Sequence, residues 1–150
     1  MTANNVPTIR LAHIEDALSI QKINSAVFKY EFDENATKKQ LAYILSKPND
    51  IIFIAEADGI VVGYIHGSDY DCTYSRPLKN ILSFGILEKY RGKGIGRMLI
   101  GRLEDWAAED GCTGVRLVSG YNRAQAHGFY LHCGYTDRKD QKNFVKLFAD

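Results

Sequence analysis

Three glycines and three cations stand within the eight residues YRGKGIGR, residues 90–97. They separate the apolar run ILSFGIL from MLIGRLEDWAA, whose apolar spacing is helical. Glycine lets a ligand approach the backbone without a Cβ in the way. The first N–H groups of a helix have no internal partners and lie at the positive end of its dipole. The stretch therefore predicts an anion site, suited to phosphate, at the start of a helix.

Spacing excludes two better-known phosphate loops. A P-loop requires G-x-x-x-x-G-K-[ST], and Leu87 stands where its first glycine belongs. A dinucleotide fingerprint requires G-x-G-x-x-G, and its last glycine falls on Arg97. What remains is R-x-x-G-x-G over residues 91–96. Taken alone, this short pattern is also compatible with a glycine-softened turn between solvated cations.

The elements that must position this stretch follow from periodicity and turn signals. Asp58-Gly59 indicates a tight hairpin, because its turn needs positive φ, and Gly111 and Gly134 are typical helix ends. The predicted order β-α-α-β-β-β-α-β-α-β-β gives a mixed sheet with helices on its faces. The predicted strands are 8–12, the two hairpin arms in IIFIAEADGIVVGYIHG, 80–87, VRLVSG, one from Gly134-Tyr135, and NFVKLFA; the predicted helices are 13–28, 37–46 capped by Thr37, one from Gly94, and 123–132.

Composition limits the class of protein. A chain of 150 residues is near the common size of one domain, so a single domain over 1–150 is expected. The net charge of +1 gives no reason to expect nucleic acid or an anionic membrane surface. No apolar run approaches the ~20 residues of a membrane helix. The widely spaced Cys72, Cys112 and Cys133 indicate neither a disulfide framework nor a zinc site. A cytoplasmic protein without a metal is the expectation.

On its glycine motif, the sequence resembles the GNAT superfamily of N-acetyltransferases. In that family, R-x-x-G-x-G cradles the pyrophosphate of acetyl-CoA. A second segment, SGYNRAQAHGFYLHCGY (119–135), fits the pattern R-x-x-A-H-x-F-Y-x-x-x-G-Y of a branch of the superfamily. The resemblance covers most of the chain. It implies an α/β (α+β) fold of GNAT type, in which about four helices flank a mixed, mostly antiparallel central sheet.

The resemblance also implies a cofactor site for acetyl-CoA. A bulge in the strand before the glycine loop pairs with the pantetheine arm, and the N–H of Ile86 or Leu87 faces the thioester oxygen. Many members place an asparagine seven residues before the catalytic tyrosine, where this chain has Arg123, with Asn122 one residue earlier. The residues expected at the cofactor are Gly85, Ile86, Leu87, Arg91, Gly92, Lys93, Gly94, Ile95, Gly96, Arg97, Asn122, Arg123 and His127.

Tyr130 is the expected general acid, since the family places a tyrosine near the cofactor sulfur. A phenol of pKa about 10 can protonate a thiolate as charge develops on it. The alternatives are that Tyr130 is core and that His127 is only a hydrogen-bonded structural residue. No Cys–His–acid pattern supports a covalent route through Cys72 or Cys133, so direct transfer in a ternary complex is expected.

The general base is open, because NILSFGIL lacks the glutamate that some members carry on this strand. An ammonium with a pKa near ~10.4 must lose a proton before it attacks. A water chain without a dedicated base is equally compatible. The candidate side chains lie in two loops expected to flank the acceptor: Glu31, Asp33, Glu34, His66, Asp69 and Asp71.

The same acidic, tyrosine-rich loops are the clue to the acceptor. YEFDEN and HGSDYDCTYS suit a small cationic amine through charge pairing and aromatic contact, although solvated surface loops explain them equally. A protein or peptide N-acetyltransferase, a catalytically silent acyl-CoA sensor and an interaction domain are the alternatives. No partner in nucleic acid or membrane is expected, and a homodimer is an expectation from the family alone.

Overall fold

The computed structural model describes residues 6–149. Its helices and strands follow the predicted order as far as the last helix. The strands are β1 (Thr8–Leu11), β2 (Asp50–Ala57), β3 (Ile60–Tyr70), β4 (Leu78–Ile86) and β5 (Val115–Leu117). The helices are α1 (Ala17–Phe28), α2 (Glu34–Ser46), α3 (Ile95–Glu109) and α4 (Ala124–His132), with short 3-10 turns at Ile14–Asp16 and Glu88–Tyr90.

The chain divides into two compact units, Met1–Val118 and Ser119–Asp150. The first unit carries the sheet and helices α1 to α3, and the second carries α4. The single domain expected over 1–150 stays a prediction.

The sheet has the strand order β1-β2-β3-β4-β5. Its first three pairings are antiparallel and β4–β5 is parallel, which confirms the mixed, mostly antiparallel sheet. The predicted hairpin joins β2 to β3, with φ of 55° at Asp58 and 77° at Gly59. β5 pairs with β4 only along Lys79–Ile81, so the two strands are joined over a short stretch near the start of β4.

Helices cover both faces of the sheet, and β2 shows why. Ile52 and Ile54 belong to one buried cluster with residues of α1 and α2, whereas the ring of Phe53 lies under Arg102 of α3 at 4.7 Å. Alternate residues of a strand point to opposite faces, so a strand buried on both sides reads as a continuous apolar run. The run DIIFIAEA is such a strand.

Two helix starts differ from the prediction because of local capping. The first helix, predicted from residue 13, begins at Ala17 after a 3-10 turn. The second begins at Glu34, since the Asp33 carboxylate accepts a bond from the Ala36 N–H at 3.0 Å. An aspartate is a strong N-cap, so Asp33 rather than Thr37 starts this helix.

The two strands predicted after α4 are wrong. Residues 135–149 contain no strand, and the apolar side chains of NFVKLFA are exposed. An apolar run becomes a strand only when a neighbour accepts and donates its backbone hydrogen bonds. The structure gives this segment no such ladder, and composition alone could not reveal that.

Candidate functional site

The glycine stretch forms an open turn into α3. Gly92 and Gly94 have φ of 75° and 84°, in the left-handed region that favours glycine. A Cβ built on either would meet no heavy atom within 4 Å, so the space over this backbone is clear. Ile95, only 1% exposed, anchors the first turn of α3 in the core.

Backbone donors at the start of α3 are available to a ligand. The first intrahelical bond runs from the Met98 N–H to the Gly94 carbonyl at 3.1 Å, so the N–H groups of Ile95 and Gly96 have no acceptor within the helix. Gly94 is the N-cap and has no side chain to cap them, and the first turn contains no acidic residue. The positive end of the helix dipole is therefore offered to an anion.

Cations and an anchored tyrosine border this turn. Tyr90 is buried, and its hydroxyl bonds the Asp58 carboxylate at 3.2 Å. The Lys93 ammonium lies 5.5 Å from the centre of the Tyr90 ring. The Arg91 Nε donates to the Ile86 carbonyl at 3.0 Å, which ties the turn to the end of β4. The whole turn suits a phosphate group in shape and in charge.

Of the backbone N–H groups of Ile86 and Leu87 at the end of β4, one is available to a ligand. The Leu87 N–H donates to the Val62 carbonyl at 2.8 Å, so it is engaged in the sheet. Successive N–H groups of a strand point to opposite sides, so that of Ile86 points away from β3. β5 pairs with β4 only as far as Ile81, and no other strand of residues 6–149 adjoins this side. The Ile86 N–H, and not that of Leu87, is thus available as a donor.

The bulge expected at residues 85–87 lies elsewhere. The register is regular where Tyr64 pairs with Gly85 and Gly63 with Ile86, and it shifts between His66 and Gly67, opposite Leu82. Beside this shift, Gly67 packs so closely on α3 that a Cβ there would lie 2.6 Å from Cδ1 of Leu103.

A cleft of about 530 Å³ lies between the end of α1 and the start of α2. Phe28 relates this cleft to the end of β4: a Cβ on Gly85 would lie 3.1 Å from its Cζ, and its ring stacks on Tyr30 with ring centres 5.8 Å apart. The cleft is lined by Asn24, Lys29, Tyr30, Glu31 and Phe32.

Asn24 lines this cleft and Tyr64 holds it in place, and sequence singled out neither residue. Tyr64 is buried on β3, and its hydroxyl donates to Oδ1 of Asn24, which lines the cleft. Burial raises the pKa of Tyr64, against hydrogen bonds with Ser83 and Asn24 that lower it, so the hydroxyl stays neutral. Asn24 is one of several polar residues in ALSIQKINSAVF, so the sequence carries no signal that identifies the pair.

The candidate bases separate in space. Glu31 lines the cleft, whereas Asp33 caps α2 and Glu34 is its first residue. His66 is buried, and its Nε2 lies 2.8 Å from Oδ2 of Asp50. Asp69 pairs with buried Lys79, and with Asp71 it lines a separate hollow of about 180 Å³. The structure thus brings Glu31 alone of the six to the cleft.

In the second unit, α4 carries the predicted tyrosine and histidine. Nε2 of His127 lies 2.8 Å from the Gly120 carbonyl, and the Arg123 N–H donates to the same oxygen at 3.0 Å, which fixes the turn before α4. Asn122 is exposed in that turn. The Tyr130 ring is half-buried between Phe129 and Tyr135, with ring centres 5.7 and 6.1 Å away.

The environment of Tyr130 favours its protonated form. Burial raises the pKa of the phenol above its ordinary value of 10.0; Arg123 opposes this and Cys133 adds to it. A phenol in this state is neutral at physiological pH and has a proton to donate. The contact of His127 with the Gly120 carbonyl fits a hydrogen-bonded structural residue, and its place at the cofactor stays a prediction.

Among residues 6–149, no group of three or more His, Cys, Asp or Glu side chains is arranged to hold a metal ion. Within the same residues, no helix has the length and apolar character needed to cross a membrane. Cys72, Cys112 and Cys133 form no disulfide.

Comparison with known proteins places these features in context. A family model described as "Acetyltransferase (GNAT) family" matches residues 17–135, which include the cleft, the glycine turn and α4. The chain is 30% identical over 128 residues to an aminoalkylphosphonate N-acetyltransferase of Salmonella typhimurium, covering 85% of this chain and 83% of the relative. It is 26% identical over 138 residues to an aminoglycoside N(6′)-acetyltransferase type 1 of Stenotrophomonas maltophilia, covering 89% of this chain and 88% of the relative.

A solved structure gives the corresponding likeness of fold. The aminoglycoside N-acetyltransferase AAC(6′)-Iy in complex with CoA superposes with a TM-score of 0.86, covering 97% of this chain and 98% of that one. At 17% identity, the likeness is one of fold.

Proposed function

Because the chain belongs to the GNAT family of acetyltransferases, we propose that it transfers an acetyl group from acetyl-CoA to the primary amine of a small molecule. The names of its relatives support the acceptor class, since aminoglycosides and aminoalkylphosphonates are both small molecules that carry amines. A direct transfer in a ternary complex fits the separate positions of the glycine turn and the cleft.

The open glycine turn at the start of α3 carries this proposal. Gly92 and Gly94 clear the space in which a Cβ would obstruct a diphosphate, and Ile95 and Gly96 present N–H groups to it. These residues fit the pyrophosphate of coenzyme A, with Arg91, Lys93 and Arg97 as its cationic border. When bound, acetyl-CoA supplies an acetyl group activated as a thioester.

Four groups of this chain divide the remaining chemistry. Glu31 in the cleft accepts a proton from the acceptor ammonium at its carboxylate, directly or through water, so that the neutral amine attacks the acetyl carbon. The Ile86 N–H donates a hydrogen bond to the carbonyl oxygen, where negative charge develops. Tyr130 would donate a proton to the sulfur of coenzyme A as it departs. A C–N bond would form as the C–S bond breaks, and the nitrogen would return its remaining extra proton to the Tyr130 oxygen, directly or through water. Arg123 or Asn122 would hold the cofactor arm.

Calorimetric titration of acetyl-CoA into Gly94→Glu tests the cofactor site. The glutamate places bulk and negative charge where phosphate is proposed to bind, so binding should weaken at least about 100-fold. Gly111→Glu is a matched control, because Gly111 also has a left-handed φ, 73°, and open space, at the other end of α3. It should keep wild-type affinity. Wild-type protein that ignores acetyl-CoA, or equal affinity in both variants, would overturn the cofactor role.

Transfer is tested separately from binding. The protein and acetyl-CoA are mixed with each of a panel of primary amines, and the loss of the thioester is followed over time. Mass spectrometry of the products should then show the acetylated amine. Tight acetyl-CoA binding without transfer to any amine would favour the silent acyl-CoA sensor, to which the missing strand glutamate points. Acetylation of peptides in preference to small amines would favour the protein acetyltransferase.

A further inference from the structure

We propose that the cleft selects a zwitterionic acceptor, a small amine that carries an anionic group such as phosphonate, phosphate or carboxylate a few bonds from its nitrogen. This inference rests on the proposed function and refines the small cationic amine expected from sequence. It separates two kinds of acceptor that the chemistry of the family admits, compact amines with an anion and molecules with several cationic amines.

The charges of the cleft support a zwitterion. Its lining contains one cation, Lys29, and one anion, Glu31, together with the neutral Asn24, Tyr30 and Phe32. A polycation would gain one ion pair with Glu31 and would meet repulsion from Lys29. A zwitterion gains a charge-assisted contact at each end.

The backbone of Lys29 is unusual for a lysine. It is the residue that ends α1, and its φ of 61° and ψ of 27° are left-handed. Glycine or asparagine normally occupies this helix-end position, because a side chain with a Cβ is disfavoured there. The strained conformation turns the chain so that Lys29 lines the cleft. A non-glycine residue held in such a conformation points to a role for its side chain.

The loop that presents the two charges is fixed at both ends. The Tyr30 N–H donates to the Asn24 carbonyl at 3.2 Å, and Nε2 of Gln21 donates to the Phe32 carbonyl at 3.2 Å. Asp33 then caps α2. Lining residues held in place before binding discriminate between ligands better than mobile ones.

The two charges come from nearby positions of one loop. Lys29 and Glu31 are two residues apart, so their Cα atoms are separated by at most about 7 Å. One acceptor molecule can therefore contact both residues. The ε-ammonium of Lys29 donates to the Ala26 carbonyl at 3.0 Å, which holds it near the end of α1 while leaving it further N–H donors.

The acceptor preference is tested with 2-aminoethylphosphonate, propylamine and the aminoglycoside neamine. Wild-type kcat/KM should favour 2-aminoethylphosphonate over propylamine by about tenfold or more, the size of one charge-assisted contact. A preference for neamine, or no difference between the first two, would overturn the proposal.

Lys29→Gly separates specificity from a purely structural role. Glycine relieves the left-handed backbone, so thermal stability should stay the same or rise, while the preference for 2-aminoethylphosphonate over propylamine falls about tenfold. Lys29→Arg should keep the preference. Lys22→Met, at an exposed lysine of α1 outside the cleft lining, is the matched control and should behave as wild type. An unchanged preference in Lys29→Gly would contradict the inference.

A binding measurement distinguishes this inference from the proposed function. Protein saturated with coenzyme A, which has no acetyl group to transfer, is titrated with each amine. Tighter binding of 2-aminoethylphosphonate, lost in Lys29→Gly, supports the zwitterion site even when no transfer occurs. Transfer to propylamine and 2-aminoethylphosphonate at equal rates keeps the proposed function and overturns the zwitterion preference.

Discussion

The hydroxyl of Tyr64 on β3 donates a hydrogen bond to Oδ1 of Asn24 on α1, 40 residues earlier in the chain. Tyr64 is also the cross-strand partner of Gly85. One buried side chain thereby links the wall of the cleft to the strand beside the proposed acetyl site.

Tyr64→Phe should weaken binding of the amine more than binding of the cofactor. The change leaves the Asn24 side chain without its donor, so the free energy of unfolding should fall by about 1 kcal/mol. KM for the amine should rise about fivefold through misplacement of the cleft wall, with Kd for acetyl-CoA unchanged. Steady-state kinetics and calorimetry measure the two. Tyr43→Phe, at an exposed tyrosine of α2, is the control. If Tyr64→Phe lowers stability but leaves KM for the amine unchanged, Tyr64 is a core residue without a role in amine binding.

Tyr130→Phe should lower kcat by about 100-fold if the phenol protonates the sulfur, with Kd for acetyl-CoA within a factor of about two. Because burial raises the pKa of Tyr130 above 10.0, its proton is present throughout the neutral range. The pH profile of kcat should therefore differ in shape between wild type and variant only above about pH 10. Tyr121→Phe, an exposed tyrosine of the same unit, serves as the comparison. An equal kcat in wild type and Tyr130→Phe would show that Tyr130 is not the general acid.

Glu31→Gln should lower kcat/KM at neutral pH by about 100-fold if its carboxylate takes the proton of the amine. Glu34→Gln on α2 makes the same chemical change outside the cleft lining and should leave kcat/KM unchanged. Raising the pH should partly restore the Glu31→Gln variant, since solvent then deprotonates the amine. A flat response to pH in Glu31→Gln, or no loss at all, would favour the water chain.

Asp16→Asn should destabilise the fold in a way that depends on pH. The carboxylate accepts two bonds of 2.8 Å from Arg10 and one of 2.7 Å from the His13 N–H. Burial opposes its ionisation, but these bonds outweigh burial and lower the pKa of Asp16 below 3.8. A lowered folded pKa gives stability that is present above pH 3.8 and is lost as pH falls through the folded value.

Urea unfolding of wild type and Asp16→Asn across pH measures this contribution. The expected difference is about 2 kcal/mol at pH 7, shrinking below pH 3.8. Asp105→Asn, at an exposed carboxylate of α3, provides the baseline. A difference that stays constant down to pH 2 would show that the carboxylate charge is not the cause.

Lys79→Met should reduce stability without changing catalysis. Lys79 is 3% exposed, pairs with Asp69 and with Asp110 at 2.7 Å, and lies 3.9 Å from the centre of the Trp106 ring. Its removal leaves the carboxylates of Asp69 and Asp110 without their shared cation, so the free energy of unfolding should fall by about 2 kcal/mol. The loss is limited to this size because both carboxylates reach solvent. Lys38→Met on the exposed side of α2 is the comparison in thermal unfolding. A large loss of kcat would bring Asp69 back as a candidate base.

Much of the GNAT fold was predictable because its signals are local. The left-handed glycines of the turn before α3, the Asp58-Gly59 hairpin and the helix-ending Gly111 each act within a few residues. The regular apolar spacing of α1 and α3 likewise follows from the period of a helix. The open glycine turn before α3 was predictable for the same reason, since φ and helix-end donors depend on the residues themselves.

The acceptor side was beyond the sequence because it is built from distant segments. The contact of Tyr64 with Asn24, the approach of Phe28 to Gly85 and the engagement of the Leu87 N–H by Val62 depend on how β3, β4 and α1 pack.

The sequence by itself therefore determined the glycine turn proposed for the cofactor and the order of elements up to α4. Only the tertiary structure decided that Glu31 joins the cleft while Asp69 pairs with Lys79, and that NFVKLFA forms no strand. The physical reason is that a turn is set by its own residues, whereas an ion pair, a strand or a cleft exists only when another part of the chain supplies the partner.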